Sequence, residues 1–354
     1  MKRGMIVRLG FAVTALFVLV WQAGIRPVAE SVKDSRPVNQ RFGWDAKSAA
    51  THYPVIRASL PKFAIGGGED DPARRVVLTD AVRVVNDGKF LPTFFQPIGC
   101  CVGAGAGQGM QILLALQAFK FADGTRPVEL WVPYHFACGR NAPECGNGQF
   151  GRNPNGSCGS WQALAIQKYG VLPKSAVPDL KWDAATASSW AIRMPDQKFV
   201  ALGRLHPVRT IARAESSEDV RHAIQNWYIV TIASDWGGLD RPPVVDIGDG
   251  VRVLLNRHAG TWSHQMVVVG YQMAGGKKYF NILNSWGADH FGQPPDSTQP
   301  GSFWVSEADM QYIVRQGDSW IYSDAVGFPA QDLDLNLFGR LKRPKGERNY
   351  ALAQ

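Results

Sequence analysis

The sequence predicts an α+β domain of two lobes, a helix-rich half followed by a strand-rich half. Three observations carry this. Apolar residues recur at helical spacing in the first two thirds, as in Ser160–Gly170 and Ser216–Trp227. From Trp227 onward the pattern changes to period-two and continuous apolar runs. The chain has 354 residues, 45% hydrophobic and 19% charged, enough for a sizeable core and too apolar for global disorder.

Residues 1–24 (MKRGMIVRLGFAVTALFVLVWQAG) place Lys2, Arg3 and Arg8 before an apolar run from Leu9 to Trp21. That run suits a signal-peptide core and is short for a span of about 30 Å of hydrocarbon. The segment reads as either a cleaved signal peptide or an uncleaved signal anchor, so the body is expected to be exported, periplasmic or secreted. Residues 25–88 form an N-terminal extension or arm, broken at Gly66-Gly67-Gly68-Glu69-Asp70-Asp71-Pro72. The folded domain is expected over 89–328, with helices to about 200 and strands from about 201.

Cys101 to Phe119 reads as a buried helix, with a conflict. Ile112 to Phe119 is apolar nearly all round, but Gly103, Gly105, Gly107 and Gly109 each cost about 1 kcal/mol against alanine. Such a helix requires its first turns to be packed closely against other backbone. A phosphate-loop reading fails, because no G-x-G-x-x-G register fits and no Gly-Lys-Ser/Thr follows. An aromatic and β-branched run, Val128 to His135, comes next, then a Gly/Asn/Pro-rich loop holding three cysteines. Ser160 caps an amphipathic helix with Trp161, Leu164, Ala165 and Tyr169 on one face and Gly170 at its end. Ser216 and Ser217 before Glu218 and Asp219 open a second capped helix. Strands are expected at Trp227–Ala233, Val251–Leu255, Met266–Tyr271, Tyr279–Leu283 and Ser302–Val305.

The net charge of +8 drops to about +5 once the three cations of the leader are set aside. The remainder is dispersed, except at Arg340, Lys342, Arg343, Lys345 and Arg348 in a basic tail, 329–354. With no interleaved aromatic and basic motif, nucleic acid is not an expected partner, and the membrane enters only through an uncleaved leader. The five cysteines are Cys100, Cys101, Cys138, Cys145 and Cys158, a number that leaves one thiol over if four pair. Their C-x6-C and C-x12-C spacings lack the tight knuckle of tetrahedral zinc, so neither metal nor other cofactor is expected.

The residues that carry chemistry lie far apart in sequence. A thiol is a weak nucleophile until a helix N-terminus or an imidazolium lowers its pKa. Cys101 stands at the start of the predicted helix. His264 opens the run His264-Gln-Met-Val-Val-Val-Gly270-Tyr271, at the start of a strand, and Asn284 ends the following strand in Leu283-Asn284-Ser285-Trp286-Gly287. Adjacent antiparallel strands can bring these two side chains together, the Asn carbonyl fixing the imidazole tautomer and Trp286 roofing the bond. His206 and His258 precede no strand of this pattern.

On these blocks the chain resembles the papain-like cysteine peptidases, especially divergent bacterial and phage members. The resemblance is carried by Gln96-Pro-Ile-Gly99-Cys100-Cys101-Val102-Gly103-Ala104, by His264 to Tyr271, by Leu283 to Gly287, and by Gly156-Ser-Cys158-Gly-Ser160-Trp161 with Tyr169-Gly170-Val171-Leu172. It spans roughly 90 to 325 and implies a papain-like fold, a helical lobe and an antiparallel β-barrel-like lobe with the active-site cleft between them. It further implies a peptide- or protein-hydrolysing enzyme with Cys101 as nucleophile, His264 as base, Asn284 as its orienter and Gln96 as oxyanion donor. Gly159, Ser160, Trp161 and Trp286 would line the substrate cleft. A Cys100–Cys158 bridge resembles the family's own, with Cys138–Cys145 closing a small loop and Cys138–Cys158 an alternative. Peptidoglycan peptides are an alternative substrate, and a non-catalytic cleft used only for binding is a third reading. No long helical pro-region is visible in 25–90, so ordinary zymogen control is not expected.

Overall fold

The described residues of the computed structural model are 42–63, 70–121 and 126–323. The leader at 1–24 and the basic tail at 329–354 lie outside them. The fold is built on one long helix, α3 (Cys101–Phe121), packed between a helical layer and a sheet. Before it come α1 (Ala46–Ser59), a short strand β1 (Val76–Val77) and α2 (Leu78–Val85). After it come α4 (Val132–Asn141), α5 (Gly159–Tyr169), α6 (Ala184–Ala191) and α7 (Gln197–Gly203). The strand-rich half contains β2 (Ile211–Arg213), α8 (Ser217–Gln225), β3 (Ile229–Gly237), β4 (Val244–Asp246), β5 (Arg252–Leu254), β6 (Gly260–Ala274), β7 (Lys277–Leu283), β8 (Ser302–Ser306), α9 (Glu307–Val314) and β9 (Asp318–Tyr322).

The main sheet runs β2-β9-β3-β6-β7-β8, antiparallel throughout, and β1 adds to β6 beyond the end of β3. β4 and β5 form a separate hairpin. The path is an open one, with β2 and β8 at its edges. Part of the expected arm is thus integral: β1 pairs through Val76 with Tyr271, and α2 packs on α3.

The glycines of α3 resolve the conflict in its sequence. A Cβ on Gly105 would stand 3.1 Å from the Gln265 carbonyl oxygen, and one on Gly109 would stand 2.7 Å from Ile229 Cγ2. The helix therefore approaches β6 and β3 more closely than any side chain would allow, and the burial gained there offsets its poor helix propensity. The run Val128–His135 is divided: Val132 opens α4 with proline in the first turn, where a missing N–H costs nothing. The second capped helix appears as expected, with a reciprocal capping box between Ser216 and Asp219.

Two expectations change. β6 begins at Gly260, so His264 lies inside a 15-residue strand and not at its start. Between the Ser234–His264 and Trp236–Thr261 pairs, Trp262 and Ser263 oppose Asp235 alone, a β-bulge directly before the histidine. The expected disulfides are also absent: no bridge joins Cys100 to Cys158, Cys138 to Cys145, or Cys138 to Cys158. Cys100 packs with Ile98, Phe136, Ala187 and Ala191, whereas Cys158 lies in the main core and accepts from Ser160 Oγ at 3.7 Å. Burial pushes the Cys138 thiol up to about 12 and raises the Cys145 and Cys158 thiols as well.

Candidate active site

Cys101 is the first residue of α3, and the Cys100 carbonyl accepts the Ala104 N–H at 2.9 Å as the helix begins. The positive end of α3 is therefore at the Cys101 sulfur. The backbone N–H groups of Gln265, Gly43, Val102 and Trp44 also face it, and each favours the thiolate. Burial is the larger effect. Cys101 has no exposed surface, and desolvation pushes its pKa up to about 12, so the thiol is neutral in this state. The sequence-based expectation of an activated thiolate is therefore not met while the sulfur is covered.

β6 carries His264 beside this helix end. Gln265, the next residue, donates its side-chain amide to the Val102 carbonyl at 2.9 Å, clamping strand to helix. His264 Nε2 lies 2.8 Å from Asn284 Oδ1, which also accepts the Ser285 N–H at 2.6 Å. Because a backbone N–H can only donate, this oxygen is an acceptor, and Nε2 must carry the proton it shares. In the neutral ring Nδ1 is then the basic atom. Gln108, from the second turn of α3, donates to the Asn284 carbonyl at 3.2 Å and fixes that residue from beneath. Trp286 lies over the imidazole with ring centroids 4.9 Å apart and is itself buried. Trp262 and His290 pack on the other sides of that indole, each at 4.8 Å.

The loop before Cys101 is tied to the Asn-Ser-Trp-Gly segment by main-chain bonds. Gln96 N donates to Ser285 O at 2.9 Å and Gly287 N to Phe94 O at 2.8 Å. Gln96 is fully buried; its Nε2 donates to Ile98 O at 3.1 Å, and its Oε1 accepts from Ser285 Oγ at 2.6 Å. The amide is thus held firmly within two residues of Ile98-Gly99-Cys100. Cys100 itself points into its own small apolar cluster, which leaves Cys101 as the thiol facing β6.

The groove at this site is filled by residues 42–45, which sequence reasoning left in an unassigned arm. Gly43 N and Trp44 N both donate to Ser263 O, at 3.2 and 2.9 Å, and Ser157 N donates to Gly43 O at 2.8 Å. Asp45 N donates to Ser157 O at 2.8 Å, completing a parallel bridge between Trp44 and Ser157. Ser263 has φ +45°, an unfavourable value for a non-glycine residue, inside the bulge before His264; the distortion offers its carbonyl to this segment. Gly43 has no room for a side chain, since a Cβ there would stand 2.1 Å from Gly99 O. Phe42 packs edge-on against Trp286 at 5.6 Å and His264 at 6.1 Å. Asp45 then caps α1, its carboxylate accepting Ser48 N–H at 2.8 Å.

Trp44 inserts its indole beside α5 and donates from Nε1 to Asp318 Oδ2 at 2.8 Å. Asp318 is buried, and the same oxygen accepts Gly159 N–H at 2.7 Å while Oδ1 accepts Trp320 Nε1 at 2.7 Å. Burial raises its pKa against the pull of these donors and of the Ser160 N–H. Gly159 and Ser160, expected on the cleft wall, are buried, with their N–H groups directed at the Asp318 carboxylate that Trp44 also meets. Trp161, expected there too, is fully buried in the core, edge-on to His52 at 5.0 Å and Phe150 at 6.0 Å. An open depression of about 780 Å³ on α9, lined by Asp235, Tyr312 and Arg315 among others, includes none of these site residues. Among the described residues, no group of three or more His, Cys, Asp or Glu could hold a metal ion.

The sequence matches no family model and no curated protein. Solved structures do match. The proform of the Amb a 11 cysteine protease, a ragweed pollen allergen, aligns with a TM-score of 0.51 at 16% identity, over 83% of this chain and 77% of that one. Procathepsin B S9 from Trypanosoma congolense aligns with a TM-score of 0.50 at 12% identity, over 83% and 89%. Xylellain, a cysteine protease from Xylella fastidiosa, gives 0.47 at 15% identity, over 82% and 98%. At such identities the likeness is one of fold, and the fold of this chain is the papain-like two-lobed α+β fold. These structural neighbours are themselves papain-like cysteine proteases.

Proposed function

We propose that this chain is an exported cysteine peptidase that hydrolyses peptide bonds through Cys101, His264 and Asn284. The observation that carries the reading is the 2.8 Å bond from His264 Nε2 to Asn284 Oδ1, on a strand clamped to the helix that starts at Cys101. In the reaction, His264 Nδ1 takes the Cys101 proton, and the thiolate adds to the scissile carbonyl carbon. The negative oxygen that forms is stabilised by the Cys101 N–H and the Gln96 amide. Collapse breaks the C–N bond as His264 returns the proton to the leaving amine, giving a thioester. A water molecule, deprotonated by His264, then releases the acid and regenerates the thiol. Asn284 keeps Nε2 protonated and the ring in register throughout.

Residues 42–45 hold this machinery at rest. The N–H groups of Gly43 and Trp44 face the sulfur, so the segment covers it with donors. Substrate can reach Cys101 only once these residues leave. Export is supported by the charge and apolar pattern of residues 1–24.

The test is labelling with a thiol-directed epoxide alongside hydrolysis of quenched fluorogenic peptides. The Trp44→Ala protein, in which the segment is loosened, should be labelled at Cys101 and should cleave peptides. Labelling at Cys100, or hydrolysis that survives Cys101→Ala, would overturn the assignment.

A further inference from the structure

The groove already contains a peptide, and that peptide reports which side chain the groove accepts. We propose that the pocket closed by Asp318 selects peptide substrates bearing tryptophan, with Trp44 as its resident occupant; this rests on the peptidase reading and names its substrate class. A peptide that reaches Cys101 by pairing its main chain with Ser263 O and Ser157 places one side chain where Trp44 now lies. That position is one bond from the N–H facing the sulfur, so the pocket is adjacent to the reacting centre.

The floor of the pocket is a carboxylate with unequal oxygens. Oδ1 of Asp318 accepts from Trp320 Nε1, a donor two residues along the same strand that stays in place whatever fills the groove. Oδ2 accepts from Gly159 N and from Trp44 Nε1, and the second of these leaves with the segment. A buried carboxylate oxygen that loses a donor is costly unless the newcomer replaces it. Phenylalanine supplies the ring and no donor; leucine supplies neither. Arginine and lysine bring donors but also a charge that must be desolvated among the apolar side chains with which Trp44 clusters. The Asp318 charge, meanwhile, is already shared among Trp320, Gly159 and Ser160. An indole matches both the apolar walls and the one replaceable bond.

The test uses the full chain with Trp44→Ala, which empties the pocket, combined with Cys101→Ala, which prevents turnover. Binding of blocked Phe-Gly-X-Asp peptides is measured by fluorescence anisotropy for X = Trp, Phe, Leu and Arg. The Trp peptide should bind about tenfold or more tightly than the Phe peptide, the scale of one hydrogen bond to a charged acceptor. Adding Asp318→Asn should shrink that ratio to about threefold or less. Equal affinity for Trp and Phe, or tightest binding of Arg, overturns the proposal. Should Asp318→Asn fail to fold, Trp44→Phe with Cys101 intact serves instead. It keeps the ring and removes the donor, so alkylation of Cys101 should accelerate about tenfold over wild type, and an unchanged rate overturns the proposal. Cleavage-site mapping with Trp44→Ala alone should show Trp enriched within two residues of the broken bond; cleavage without that enrichment overturns the substrate assignment. If the Trp peptide binds selectively but nothing is cleaved, the peptidase reading falls and the pocket assignment stands.

Discussion

Two buried histidines flank the same helix, and their difference separates chemistry from architecture. His264 lies on the β6 side of α3, its Nε2 held by the Asn284 carboxamide and its ring roofed by Trp286. His135 lies on the α4 side, its Nε2 donating to the Gly103 carbonyl at 3.0 Å while Gln162 donates to its own carbonyl at 2.9 Å. Both are essentially without exposed surface. Burial alone therefore does not mark a catalytic base. What differs is the neighbourhood: His264 lies on the strand clamped to the N-terminus of α3, where Cys101 stands, whereas His135 braces two helices against each other.

The sharpest way to break this contrast is to remove each member of the pair of elements that β6 and α3 bring together. Cys101→Ala should abolish hydrolysis, a loss of about a thousandfold or more in kcat/KM, because no other thiol faces β6. His264→Ala should come close to it. Asn284→Ala should lower kcat less, about ten- to a hundredfold, since the carboxamide orients the base and exchanges no proton. His135→Gln should leave kcat within about threefold. If His135→Gln and His264→Ala cost the same, the distinction drawn between the two faces of α3 fails. Steady-state rates on a single peptide, measured with Trp44→Ala in the background, decide it.

How far sequence alone reaches follows the same division. Cys101 stood out because it begins a helix and Asn284 because it directly follows a strand, whereas His264 lies inside β6 and stood out only through the apolar run after it. Ser216 with Asp219 was legible because the pair opens a helix. The groove occupant was not. Trp44 meets Asp318 across 274 residues, and no periodicity connects an aromatic residue in an unpatterned arm with an aspartate at the head of the last strand. The bulge at Trp262–Ser263 was likewise hidden, since one added residue in a strand leaves the apolar run looking continuous. Trp161 is instructive in another way. Its helical spacing with Leu164 and Ala165 marked a buried face, while the family resemblance suggested the cleft; the periodicity described the packing correctly. The disulfide pairings followed the family resemblance, which does not report that the Cys100 and Cys158 sulfurs join separate apolar clusters.

The second face of α3 gives a pH signature of its own. Burial holds the His135 pKa down to about 4, against about 6.5 in an unfolded chain. Its Nδ1 has no hydrogen-bond partner among the described residues, so a proton added there is buried and uncompensated. Between pH 6.5 and 4 the unfolded chain binds a proton that the folded one refuses. Stability supplied by neutral His135 is thus complete above pH 6.5, falls as the pH drops, and is lost once pH passes the folded pKa near 4. The shift corresponds to about 3 kcal/mol. Urea unfolding at pH 7 and pH 4.5 should show this loss in the wild type and a smaller one in His135→Gln, which keeps a donor for Gly103 O and cannot titrate. Parallel losses in both proteins would assign the acid sensitivity elsewhere.

The smallest expected effect comes from the neighbour of the proposed nucleophile. Cys100 and Cys101 are adjacent, yet successive residues at the start of a helix point about 100° apart, and here one sulfur enters an apolar cluster while the other faces β6. Cys100→Ala removes one heavy atom from a cluster of Ile98, Phe136, Ala187 and Ala191, which costs about 1 kcal/mol if the walls relax in the ordinary way. Thermal unfolding should register that change as a drop of a few degrees. Peptide turnover and epoxide labelling should stay within about twofold of the parent, because Cys100 Sγ lies outside the groove that Gly43 and Trp44 occupy. A large loss of turnover without a loss of stability would mean that the sulfur of Cys100 reaches the substrate after all, and that the direction of the helix start, not merely its position, had been misread.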